Sequence, residues 1–367
     1  MSTIKKIVVI DARPLSRGRS GIRRYLENIL TRLPESPDIE WVLYSDLPLV
    51  SDVVIYSKFS NIRIVGYGFL ARIMWGWKVR YWLQIDRPDT FWGPRHHLPC
   101  FFAPQTRKIV TIHDMVWVNL PETMRFMGLL AEKLFTPRSI KSADAIIAVS
   151  DSTATAIADF LPDVCKKIIV IKHGRPDLPK VAEVPTDIEV RMLGDYFLSV
   201  GTVEPRKNYE ILLDGYSKYL KSGGKNKLVI AGTRGWAWKR FKRKISKLDL
   251  GTNIVFIENC TDLKLAHLYK HAKAFVMVSL GEGYGLPVAE AQDFDLPMLL
   301  SNLPVFRELR PRVALWVDPH DVNAVANNLT QIESFGIADI KEKLVGFEDR
   351  RDWDSVTDEI VSLLVGE

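Results

Sequence analysis

Cysteine is scarce in this chain: three residues in 367, Cys100, Cys165 and Cys260, scattered and odd in number. That excludes a disulfide framework and suits a reducing compartment. No Cys/His cluster has the spacing of a zinc site, and no Walker A string is present. Short-period repeats, low-complexity tracts and coiled-coil heptads are absent too, which sets aside solenoids and fibrous folds. The first apolar run follows two lysines but ends at Asp11, too early for a signal peptide or a membrane-spanning helix. It is expected to be a buried strand.

What is present is a regular alternation. Runs such as "IKKIVVIDA" (4–12), "IEWVLYS" (39–45), "NIRIVGYG" (61–68), "DTFWGP" (89–94), "KIVTIHD" (108–114), "AIIAVS" (145–150) and "KIIVIKHG" (167–174) recur, several of them rich in Ile and Val. Their lack of polar alternation predicts parallel strands covered on both faces. Helical patterns fall between them, as in "GIRRYLENILTRL" (21–33). A polar, proline-bearing stretch, 174–190, reads as a linker. The alternation then restarts with "YFLSVGT" (196–202), "KLVIAGT" (227–233), "NIVFIEN" (253–259), "AFVMVSL" (274–280), "PMLLSN" (297–302) and "ALWVDP" (314–319). Two β-α series predict an α/β protein of two doubly wound, Rossmann-like domains facing a central cleft. The expected division is 1–180, 190–345, and a C-terminal helix, 346–367, that crosses back to the first domain. Such a helix would couple ligand binding to closure.

Ligands of such sheets bind at the carboxyl ends of the strands, so the residues just after each apolar run are the ones to read. "AFVMVSL" leads into "GEGYGLPVAE" (281–290). Its glycines allow a sharp turn close to a ligand, and Pro287 suits the first helical position. The helix start favours phosphate. Glu282 and Glu290 lie eight residues apart, at most about 12 Å if helical, comparable with the length of a nucleotide-sugar. The second cluster, "VGTVEPRKNYE" (200–210), puts the cations Arg206 and Lys207 near another helix start, where they suit a diphosphate. Solvated Arg-Lys pairs are common, and the pair alone would not decide. The third, "SRGRSGIRRY" (16–25), lacks the G-x-G-x-x-G spacing of dinucleotide folds. The fourth, "TIHD", sets His113 and Asp114 at a strand end. "DFD" (293–295) has the look of a metal-binding D-x-D, but its expected place is the amino edge of the sheet, the wrong edge for a ligand.

Taken together, "RSGIRRY", "TIHDMVWVNLPETM", "AVSDSTA", "VGTVEPRKN", "GEGYGLPVAEAQ" and "SNLPVFREL" before "ALWVDP" resemble the retaining GT-B glycosyltransferases of family 4. The resemblance is to bacterial mannosyltransferases of surface polysaccharide (O-antigen) synthesis in particular. The strings occur in the family's order over about residues 8 to 325. The resemblance implies that Glu282 lies near the donor sugar and that Glu290 binds the ribose hydroxyls. Arg206 and Lys207 would stabilise the leaving diphosphate, with backbone groups of Gly283, Tyr284, Gly285 and Leu286. Gly18 and Gly21 would let the first loop approach the phosphates, His113 would contact the sugar, and Asp262 would accept hydrogen bonds from guanine. The catalytic set is then His113, Glu282, Arg206 and Lys207. The departing phosphate would help deprotonate the acceptor, so Glu282 need not be a nucleophile. Departures from the family pattern are Arg23 and Glu258, each in place of a usual glycine, and "AQDFDLP", in place of a more glycine-rich turn.

The expected activity is transfer of mannose from GDP-mannose to a saccharide acceptor, lipid-linked, with no metal and no other cofactor. The alternatives are a UDP-sugar donor on the same fold or a catalytically inactive sugar-nucleotide-binding subunit. A net charge of +6 and pI near 9.0 suit phosphorylated ligands, anionic lipid or nucleic acid, but no nucleic-acid recognition motif is present. Two basic-aromatic segments, "WAWKRFKRKISKL" (236–248) and "RIMWGWKVRYWLQ" (72–84), read either as ordinary helices with solvated cations or as contacts to an anionic membrane surface. The expected location is cytoplasmic, with peripheral contact to the inner face of the membrane. The oligomeric state is not readable.

Overall fold

The computed structural model describes residues 5–18, 20–50, 58–179, 193–334 and 351–366. The chain divides into two units, one made of Met1–Trp117, Arg125–Gly174 and Arg350–Glu367, the other of Val118–Met124 and Arg175–Asp349. Much of the 174–190 stretch expected to be a linker lies outside the described residues.

The first unit holds a seven-stranded, all-parallel sheet. Its strands are β1 (Lys6–Asp11), β2 (Ile39–Ser45), β3 (Asn61–Ile64), β4 (Thr90–Gly93), β5 (Arg107–Ile112), β6 (Ala145–Ala148) and β7 (Ile168–Val170), in the order β3-β2-β1-β4-β5-β6-β7. Strand order reverses between β1 and β4, which pair directly. Several strands form where apolar residues run unbroken because both faces are covered: all four residues of β4 (TFWG) and of β6 (AIIA) are buried.

Helix α1 (Gly21–Arg32) is capped by the Ser20 side chain, which accepts from the Arg23 amide. Its buried stripe of Tyr25, Leu26, Ile29 and Leu30 joins Trp353, Val356, Ile360 and Leu364 of the C-terminal helix in one core. That helix, Trp353–Val365, is held at its carboxyl end by the strand starts. Lys6 Nζ donates to Val365 O, Thr90 Oγ1 to Leu364 O at 2.8 Å, and Arg107 to Leu363 O at 2.7 Å. Two cations and a hydroxyl thus satisfy carbonyls that have no partner within the helix. The other sheet face is covered by α2 (Gly68–Asp86) and α4 (Phe126–Ser142), with the short α3 (Val116–Asn119) between them in the chain. The β3–β4 and β5–β6 crossovers both run towards the β7 edge, so right-handed connection puts α2 and α4 on the same side. Helix α5 (Asp151–Phe160) follows β6.

The second unit is built the same way around six parallel strands, in the order β10-β9-β8-β11-β12-β13. These are β8 (Tyr196–Val200), β9 (Lys227–Gly232), β10 (Ile254–Glu258), β11 (Ala274–Met277), β12 (Met298–Ser301) and β13 (Ala314–Val317). Its helices are α6 (Tyr209–Lys221), α7 (Trp238–Lys247), α8 (Asp262–His271), α9 (Leu286–Asp293), α10 (Pro304–Glu308) and α11 (Val322–Glu333). Leu212, Leu213 and Tyr216 of α6 pack with Val325, Leu329 and Ile332 of α11. The switch in strand order falls between β8 and β11, which pair directly. Two loops widely separated in sequence therefore leave the sheet side by side.

Candidate active site

Those two loops carry the charged residues singled out in the sequence. After β8 the chain makes a single 3-10 turn, Pro205–Lys207, and Asn208 takes the left-handed conformation at φ 56° to start α6. Asn tolerates that conformation, and here its side chain repays it by donating to Val278 O at 3.0 Å and Pro319 O at 2.7 Å. The Leu280 amide donates to Arg206 O at 2.8 Å. The β8 and β11 loops are thus laced together by backbone and by Asn208 before any ion pair forms.

Glu282 closes the arrangement. Its Oε1 accepts from Lys207 Nζ at 2.7 Å and its Oε2 from Arg206 at 2.5 Å. Arg206 also donates to Gly281 O at 2.9 Å and to Glu204 at 2.9 Å. The Glu282 side chain is 8% exposed. Burial pushes its pKa up, but the charges of Arg206 and Lys207 outweigh burial and hold it down to about 2. Burial lowers the Lys207 pKa against the opposing pull of Glu282. With both oxygens engaged and a pKa far below neutrality, Glu282 is unsuited to general-base work, which needs a value near the operating pH. What it does is aim two cations. Lys207 Nζ gives Glu282 one of its three protons, which leaves donor capacity for an anion.

Helix α9 starts directly after this loop. Gly285 precedes it at φ +90°, and a Cβ there would lie 2.8 Å from the Phe306 ring, so both conformation and space require glycine. Leu286 takes the first helical position and Pro287 the second, one place later than the sequence expectation. The positive end of α9 thus points from the same loop as Glu282. A further close approach lies beneath β8: a Cβ on Gly232 would meet Gly201 O at 2.0 Å.

The other expected site residues fall as follows. Glu290 is buried within α9 and accepts from Tyr269 at 2.8 Å; this hydrogen bond from α8 could not be read from the glutamates' spacing. Asp262 is the first residue of α8, behind the Thr261 cap. Gly283 and Tyr284 are buried in the loop. Gly18 has open space around it, whereas Gly21 is already the first residue of α1. Arg23, found where the family pattern has glycine, donates to Arg17 O, to Val50 O and to Glu27, and so straps the first loop. Glu258 pairs with Arg234 at 2.9 Å. Asp293 and Asp295 are taken by Arg175 at 3.3 Å and Arg312 at 2.6 Å.

His113 lies in the first unit at the end of β5. It is buried, and its Nε2 sits 2.8 Å from Pro94 O. A carbonyl can only accept, so Nε2 carries the proton. Burial, reinforced by His96, lowers the pKa to about 4. His113 is therefore a neutral ring with its Nδ1 lone pair available as an acceptor. A support behind it had no signal beyond its strand-end position. His96 Nε2 accepts the His113 amide at 3.0 Å, while His96 Nδ1 sits 3.1 Å from Glu132, which also takes the Thr136 hydroxyl at 2.5 Å. Burial disfavours a charged His96 and Glu132 favours it, but a second proton on Nε2 would break the bond to the His113 amide.

Among the described residues no group of three or more His, Cys, Asp or Glu side chains is placed to hold a metal ion. None of their helices is long and apolar enough to cross a membrane.

The sequence and the fold match known proteins. The family model for glycosyl transferases group 1 matches residues 188–343, the span that carries the Arg206–Lys207–Glu282 cluster. The chain is a glycosyltransferase with a group 1 domain. This glycosyltransferase is 26% identical over 357 residues to the O-antigen chain mannosyltransferase B of Escherichia coli, covering 88% of this chain and 90% of that one. It is 23% identical to the O-antigen chain mannosyltransferase RfbU of Salmonella typhimurium, covering 95% and 97%. Among solved structures, WaaG, a glycosyltransferase involved in lipopolysaccharide biosynthesis, superposes with a TM-score of 0.73 at 13% identity, over 98% of this chain and 100% of that one. The two parallel-sheet units make a GT-B fold.

Proposed function

We propose that this glycosyltransferase moves mannose from GDP-mannose to a saccharide acceptor carried on a lipid, with retention at the anomeric carbon and without a metal. The observation that carries the reading is the pair of cations, Arg206 and Lys207, aimed by one buried carboxylate beside the positive end of α9. The bond from the sugar's anomeric carbon to the diphosphate oxygen breaks, and charge grows on that oxygen. Arg206 and Lys207 neutralise it where a metal ion would otherwise be needed. The acceptor oxygen bonds to the anomeric carbon, and its proton goes to the departing phosphate. Glu282 positions the cations beside the donor sugar, Glu290 takes the ribose hydroxyls, Asp262 selects guanine, and His113 accepts a sugar hydroxyl. The mannosyltransferase relatives of O-antigen synthesis support the choice of sugar and of acceptor. A lipid-linked acceptor implies work at the inner face of the cytoplasmic membrane.

The test is turnover with a panel of GDP- and UDP-sugars, with and without EDTA. Turnover of GDP-mannose alone, unchanged by EDTA, is the expected result. Preference for a UDP-sugar would overturn the assignment to Asp262, and nucleotide binding with no turnover of any donor would mark an inactive subunit.

A further inference from the structure

Helix α2 is apolar around nearly its whole circumference, a pattern that normally means burial on every side. One face is buried, through Ala71, Val79, Trp82 and Leu83. The opposite face is not. Leu70, Ile73, Met74, Trp77 and Tyr81 follow the i, i+3, i+4 rhythm of a second stripe, with Leu70 70% and Trp77 79% exposed, and Phe69 is 73% exposed beside them. Helix α4, on the same side of the sheet, repeats the feature at its start, where Phe126 is 75% and Met127 71% exposed and Leu130 follows. The loop between β4 and β5 links the two helices. Exposed Phe101 lies 4.5 Å under the Arg80 guanidinium of α2, and the His97 ring lies 5.7 Å from Phe135 of α4.

The charges on these helices are sorted. Besides Arg72, Lys78 and Arg80, α2 has one acid, Asp86, and it is turned inward to Arg63 and to the Tyr44 hydroxyl. Besides Lys133, Arg138 and Lys141, α4 has one acid, Glu132, and it is bound to His96, His97 and Thr136. Each helix therefore presents outward apolar and aromatic side chains with cations and no carboxylate. A soluble partner could use the apolar stripes, but sorting out both acids adds complementarity to a surface that is itself anionic. Exposed Trp, Tyr and Phe with an apolar body suit the boundary between headgroups and acyl chains.

The other basic-aromatic segment does not have this form. Trp238 and Phe241 of α7 stack on each other, and both lie against Phe256; Ile245 packs on the same core. That helix has its apolar side already used, and two of its cations, Arg240 and Lys244, pair with Glu210 and Asp214 of α6.

We infer that the outward faces of α2 and α4 in the first unit are a docking surface for an anionic lipid bilayer, with α2 lying in the plane of the interface. The inference deepens the proposed lipid-linked acceptor but stands on the surface alone, so it can fail or hold independently of donor or activity. The experiment is sedimentation of the full-length protein with vesicles of phosphatidylcholine containing phosphatidylglycerol, and with phosphatidylcholine alone. The partners are a Leu70→Ser/Trp77→Ser/Tyr81→Ser variant, an Arg72→Glu/Lys78→Glu/Arg80→Glu variant, and Lys239→Glu/Lys242→Glu/Arg243→Glu on α7. All the substituted side chains are exposed except the half-buried Lys78, and thermal unfolding and circular dichroism report whether each variant is folded. Binding to the anionic vesicles should fall at least tenfold in both α2 variants and stay within twofold in the α7 variant, with little binding to phosphatidylcholine alone. No binding to anionic vesicles, or equal binding by all variants, would overturn the inference. So would a dimer seen by light scattering and abolished by the apolar α2 variant, because the face would then take a second copy of the chain.

Discussion

Replacing Glu282 by glutamine keeps the shape of the side chain and removes the charge that pairs with Arg206 and Lys207. The folded-state pKa of Glu282 is held down to about 2 from the usual 4.5. At about 1.4 kcal/mol per pH unit, that difference is worth about 3 kcal/mol of folding stability at neutral pH. Removal of one partner from a buried ion pair costs about 3 to 5 kcal/mol in general, so two independent routes agree. Because the folded pKa is depressed, the contribution is complete above the unfolded value and disappears as pH falls through the folded one. It should be down to about half by about pH 3.3. For a unit of this size the loss at pH 7 lowers the melting temperature by about 6 to 12 °C. Thermal unfolding of wild type and Glu282→Gln, followed by circular dichroism between pH 7 and pH 3, measures both the size and the pH course. A loss below about 0.5 kcal/mol at pH 7, or a difference that does not shrink on acidification, would refute the pairing.

Gly285→Ala should destabilise the second unit by about 1 to 3 kcal/mol, because its φ is +90° and the new methyl meets Phe306. Gly128→Ala, in open space within α4, should stabilise by about 0.5 to 1 kcal/mol, and paired thermal melts compare them. The His113 ring, with its pKa lowered from 6.5 to about 4, should show no titration between pH 6 and 8 by NMR; its contribution to stability is full above the unfolded value and is lost as pH falls from about 6.5 through about 4. A shift midpoint near 6.5 would contradict the assigned tautomer and its burial. Prolonged dialysis against EDTA should leave the transfer rate within twofold, and a loss restored by added magnesium or manganese would show that Arg206 and Lys207 do not suffice.

The two parallel sheets were legible because most of their strands are short apolar runs, several rich in Val and Ile, a pattern that burial on both faces imposes. The positions of Arg206, Lys207 and Glu282 were legible because strand ends carry the ligands in doubly wound sheets. Their mutual pairing was not. It depends on β8 and β11 being neighbours, a fact of topology with no mark in local sequence. The same limit hid Tyr269 behind Glu290 and Glu132 behind His96. His96 stands just after β4, a strand end that the same rule would have singled out. The two basic-aromatic segments looked alike as composition, and only the packing of α7 against Phe256 and the outward stripe of α2 separate them.

The central claim is that Arg206 and Lys207, held by Glu282, carry the charge of the departing diphosphate. Steady-state transfer from GDP-mannose by wild type and Lys207→Ala tests it most directly, with thermal unfolding and circular dichroism measured alongside to show that the variant is folded. Loss of one such donor typically costs about 100- to 1000-fold in kcat, and a fall of that size is the predicted result. A kcat for Lys207→Ala within threefold of wild type would contradict the account.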